Sequence, residues 1–75
     1  MAEDTTPSGA AWVRAFARQL GIDPPSEEEV TVLLDLAGVA AHASERIAAP
    51  IACYLVGRAG VAPTDALAVA RTTEP

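Results

Sequence analysis

The sequence predicts an all-α fold, a small array of three or four helices with bounds near residues 8–20, 27–46, 50–59 and 64–71. Three observations carry this reading. Apolar residues recur at helical spacing, no strand-like alternation of four or more residues appears, and Gly21, Pro24, Pro25, Pro50, Gly60 and Pro63 punctuate the helical stretches. At 75 residues the chain has room for one domain. We divide it into a lead-in over residues 1–7, a helical domain over 8–71 and a frayed tail over 72–75.

The lead-in is polar and acidic, with little apolar surface to offset the entropy of ordering it. From Ser8 to Leu20, the residues Trp12, Val13, Phe16, Ala17 and Leu20 gather on one side of a helix, with Arg14 and Arg18 opposite. Gly21 then stands where a left-handed cap is favoured. Pro24-Pro25-Ser26 opens the second helix, because Ser26 and Glu29 have the spacing of a reciprocal capping box. Glu27, Glu28 and Glu29 favour the positive end of the helix dipole, which accounts for them without a metal. Along this helix Val30, Leu33, Leu34, Leu36, Ala37, Ala40, Ala41 and Ile47 form a broad face expected to meet the core. On the other face Asp35, His42 and Arg46 form a polar line with Val32 and Val39 as apolar shoulders.

Pro50 ends that helix and is placed to begin the third, which is apolar almost all round and therefore lies centrally or against another chain. Ala49, Cys53 and Gly57 mark a line of small residues along it, suited to close helix approach. Gly60 stops it, and Pro63-Thr64 offers a fresh N-cap for a short fourth helix whose Leu67 and Val69 point to different sides.

Composition narrows the function. Five arginines, no lysine and ten acidic residues give a formal charge of −5, which repels a phosphate backbone, so nucleic acid is not the expected partner. One Cys53 and one His42 allow neither an intrachain disulfide nor a zinc site built from Cys and His alone. The acidic start has no signal-peptide character and the apolar runs are too short to span a bilayer, so a cytoplasmic location is expected. A free cysteine fits a reducing compartment.

No catalytic constellation is visible. Phosphate loops, HExxH, CxxC and GxSxG motifs are missing, and Asp35 and Arg46 would stand about 16 Å apart along one helix, too far for a relay. We read the chain as a non-enzyme with no cofactor or metal of its own. His42 and Arg46 have the chemistry to hold an anion or a partner carboxylate; a solvated or capping histidine is the plainer alternative. Cys53 reads as a small packed residue. Trp12 reads as core or interface anchor, and so does Tyr54. The candidate partner-binding residues are thus Asp35, Val39, His42, Arg46 and Tyr54.

Two stretches carry a family resemblance. One is Trp12-Val13-Arg14-Ala15-Phe16-Ala17-Arg18-Gln19-Leu20-Gly21-Ile22, and the other is Ala41-His42-Ala43-Ser44-Glu45-Arg46-Ile47-Ala48-Ala49-Pro50, joined by Leu34-Asp35-Leu36-Ala37 and Tyr54-Leu55-Val56-Gly57. Over Trp12 to Gly60 the chain resembles a small actinobacterial helical family of unknown function. That family is similar to C-terminal extensions of molybdenum-cofactor guanylyltransferases and to short proteins encoded beside formate dehydrogenases and their sulfurtransferase accessory. Ile47 stands where the family pattern has proline. The resemblance implies molybdenum biology: a non-catalytic small subunit or accessory factor docking on a molybdenum- or tungsten-dependent formate dehydrogenase. The alternatives are a helper in synthesis or delivery of the pterin-nucleotide cofactor, and a self-associating structural domain, that is, a homodimer.

Overall fold

A computed structural model describes residues 6–75, and among these the chain is helical with no strand: α1 (Gly9–Leu20), α2 (Glu27–Ala43), α3 (Ala48–Ala59) and α4 (Pro63–Thr72). Of the expected lead-in, residues 1–5 lie outside the described residues. Most helix ends are closed by local chemistry. The Ser8 hydroxyl accepts from the Ala11 N–H at 3.1 Å and caps α1. Gly21, at φ 78°, ends it in a Schellman motif, in which Gly21 N–H donates to the Arg18 carbonyl and Ile22 N–H to the Ala17 carbonyl, both at 3.0 Å. The capping box of α2 forms as the sequence requires: Glu29 N–H donates to Ser26 Oγ at 3.1 Å and Ser26 N–H to Glu29 Oε1 at 2.8 Å. Gly60, at φ 69°, closes α3 with its N–H on the Val56 carbonyl.

The second helix stops at Ala43, three residues before the expected Arg46. A helix continued through Pro50 would drive the proline ring into the Arg46 carbonyl four residues back. The chain leaves the helix earlier instead. Ser44 turns out of it, placing both its N–H and its hydroxyl on the Ala40 carbonyl, at 3.2 and 2.8 Å. Glu45 to Ile47 form a turn whose carbonyls accept from Ala48 and Ala49. Pro50 is therefore the third residue of α3, still within the first turn, where no intrahelical donor is lost. At α4 the expected Thr64 cap is replaced by Ala62 at the cap position and Pro63 as the first helical residue, whose fixed φ suits that place. The helix extends to Thr72, and the Thr72 and Thr73 hydroxyls donate to the Val69 carbonyl at its end.

The packing is centred on α2, which lies against both α3 and α4. Leu36 of α2, 2% exposed, meets Ala66 and Leu67 of α4, with Val32, Val39, Ala52, Cys53, Val56 and Ala70 around them. The core face of α2 is consequently rotated from the one expected. Val30 is exposed, as are Leu34 at 67% and Ile47 at 73%, whereas Val32 and Val39 turn inward, because α3 and α4 both pack on the Val32–Leu36–Val39 side. The chain exposes 6123 Å², against about 4,300 Å² for a compact monomer of its mass. Its radius of gyration is 14.2 Å, against about 11 Å for a compact chain of this length.

A core with one fully buried large side chain has little redundancy. Leu36→Ala is expected to destabilise by about 2–5 kcal/mol, which matches the roughly 3–5 kcal/mol that a core of this size supplies, so the cooperative urea transition in far-ultraviolet circular dichroism should be lost. Ser26→Ala should only shift that transition, by about 1 kcal/mol; equal effects would contradict the central role given to Leu36.

Candidate functional site

The large apolar residues of α1 are where sequence and packing part company. Trp12, Phe16 and Leu20 recur every four residues and so share one face, and Trp12 and Phe16 stack along the helix with ring centroids 5.0 Å apart and planes tilted by 30°. That face would be expected to enter the core. It does not: Trp12 is 55% exposed, and Val13, Phe16, Leu20 and Ile22 are exposed as well, leaving Ala17 as the one buried residue of α1. Its linker explains the separation. Pro24 and Pro25 favour extended conformation in the residues before them, and α1 forms no helix–helix pairing on the scale of α2 with α3 or α2 with α4.

A second apolar feature lies on the body. Between α3 and α4, floored by the C-terminal half of α2, runs an open trough of about 490 Å³. Each of its three helices contributes two alanines, Ala40 and Ala43 from α2, Ala52 and Ala59 from α3, and Ala66 and Ala70 from α4, and the larger Leu55, Val56 and Val69 also line it. Leu55 and Val69 are exposed.

The polar line is split by the early end of α2. Asp35 and His42 remain on α2 and are exposed, but Arg46 sits in the turn that follows, off the helical arc that was to align the three. Among the described residues none of the three side chains makes a hydrogen bond or ion pair within the chain. Val39, expected as an apolar shoulder, is half-buried on the core and lines the trough. Tyr54 is exposed on α3. Cys53 is half-buried with its thiol directed at the Leu33 carbonyl, 3.9 Å away, so this side of α3 faces α2. Gly57, the third member of the small-residue line, is exposed, and a methyl group added there would meet nothing within 4 Å, so close helix approach does not extend that far. Among the described residues no three of His, Cys, Asp and Glu come together in a metal-binding group, and no helix is long and apolar enough to cross a membrane.

The sequence pattern identified the α1 stripe and left Trp12 open between core and interface anchor. The trough had no signal of its own, since its alanines belong to three helices and are brought together only by packing. Residues 4–74 match a family model described as Domain of unknown function (DUF6457). No curated protein and no solved structure matches the chain.

Because Asp35, His42 and Arg46 are exposed and unpaired within the chain, replacing His42 or Arg46 with alanine should change stability by less than about 0.5 kcal/mol. Urea titration of both variants checks this; a larger loss would give these residues a structural role that the geometry lacks.

Proposed function

The chain belongs to this family of unknown function, and we propose that it acts as a non-catalytic helical interaction module, a small subunit or accessory factor that presents surface to a larger protein. One observation supports this most directly: an amphipathic helix whose Trp12, Phe16 and Leu20 face water in a chain whose own core is nearly minimal. Contiguous exposed apolar surface on a small protein marks an interaction site, and exposed aromatic residues are the usual anchors of one.

The larger partner is proposed from the resemblance to the actinobacterial family: a molybdenum- or tungsten-dependent formate dehydrogenase, or a protein of its cofactor synthesis, in the cytoplasm. The groups offered to it are Asp35 and His42 on α2, Arg46 in the turn beyond, and Tyr54 on α3. These groups offer both charge signs and a rigid amphipathic ring, the means by which an interface fixes register and orientation.

Affinity purification of the tagged chain from its native host should recover a molybdoenzyme or a cofactor-synthesis protein. Arg46→Ala should weaken that association by about 2–5 kcal/mol by leaving a partner carboxylate unpaired in a buried contact. Recovery of neither class of protein would overturn the assignment of the partner, and unchanged affinity would remove Arg46 from the interface.

A further inference from the structure

We propose that the α1 stripe and the α3–α4 trough are the two halves of one interface, filled reciprocally by a second copy of the chain. The inference rests on the interaction-module reading but not on the identity of the larger partner.

Shape is the first argument. The trough has six alanines spread over its three helices among larger Leu and Val side chains, and the α1 stripe consists of Trp12, Phe16 and Leu20. Large side chains facing small ones is the pairing that fills space between helices at interior density. The body lacks a helix between α3 and α4, and α1 lacks a body.

Reach is the second. The trough follows α2 from Leu36 to Ser44, beginning about 14 Å from the first residue of that helix. Were α1 to fold back along its own α2, Leu20 would lie near the N-terminus of α2, and Phe16 and Trp12 about 6 and 12 Å further on. The stripe would cover the N-terminal half and stop where the trough begins. The Pro24–Pro25 linker also disfavours a tight reversal between the two helices. A helix from another copy has neither restriction, and one stripe and one trough used reciprocally by two copies close a two-fold interface.

Charge is the third. Between Gly9 and Leu20 the only charged residues are Arg14 and Arg18, whereas residues 27–72 carry six acidic groups against three arginines. Helix α1 is therefore cationic and the body it would join is anionic, which favours the exchanged pairing over association of two α1 helices with each other.

Area closes the argument. Each copy exposes roughly 1,800 Å² more than a compact monomer of its mass. A standard stable interface takes roughly 800 Å² from each partner, which lies within this excess.

Trp12 is the only tryptophan, so its emission reports the interface directly. The full chain at micromolar concentrations should sediment with twice the 7.7 kDa mass of one copy, and Trp12 emission should move to the red as the dimer dissociates on dilution. Phe16→Asp, which spoils the stripe, and Leu55→Asp, which spoils the trough, should each give a helical monomer. Both positions are exposed in the single chain, so the fold should tolerate them; Val69→Asp is a second trough variant should Leu55→Asp fail to fold. Mixing the stripe variant with the trough variant should restore a dimer, because one intact stripe then meets one intact trough. A wild-type chain that stays monomeric with Trp12 in water overturns the proposal, as does a mixture that remains monomeric. Binding of Trp12 only on addition of the larger partner also overturns it, and would leave the interaction-module reading standing; a dimer that recovers neither a molybdoenzyme nor a cofactor-synthesis protein supports it and overturns the partner assignment alone.

Discussion

Contact with α2 is the constraint from which the shape of the molecule follows. Leu36 projects from its middle into the core where three helices converge, and Ala66 and Leu67 meet it there. Both α3 and α4 are attached to that one helix, so the space between them is left as a trough. With so few large side chains the core closes on one side of α2 only. The other apolar positions of the chain, those of α1 above all, are surplus to it.

Local chemistry was legible in the sequence and tertiary choice was not. The ends at Gly21, Ser26 and Gly60 depend on one or two residues each, a left-handed glycine or a hydroxyl with a carboxylate three positions on, and these act whatever surrounds them. The core face of α2 is different. Apolar residues cover more than half of its circumference, so helical periodicity favours Val30–Leu34 as readily as Val32–Leu36–Val39, and only the arrival of α3 and α4 selects between them. The end of α2 was obscured for a related reason: every residue from Ser44 to Ala49 is compatible with helix, and the break is imposed from ahead by Pro50.

The same reasoning explains the fate of the candidate site. Asp35, His42 and Arg46 align only on an uninterrupted helix, so moving the break from Arg46 back to Ala43 separates the arginine from the other two. Val39 was an apolar shoulder only on the assumption that the core lay opposite. Cys53 was placed correctly, because a small residue on an apolar helix tolerates either neighbour and here finds the Leu33 carbonyl. An amphipathic helix such as α1 has one pattern whether its apolar face meets its own core or another protein's, and so periodicity cannot tell the two apart.

An exposed helix of 12 residues is marginal in water on propensity alone. Helix α1 carries its own remedies: a serine cap at the start, a complete Schellman motif at the end and the Trp12–Phe16 pair along its face. None of these depends on the body of the protein. They hold the helix in the conformation in which its apolar face is usable before anything docks on it, which lowers the ordering entropy lost on association. The prolines between Gly21 and Ser26 act in the same direction by restricting where α1 points. A helix made self-sufficient and held apart from a minimal core is arranged for contact with another molecule. Its docking then adds buried surface to a fold short of it, so that the stability of the chain rises with the concentration of whatever occupies the stripe.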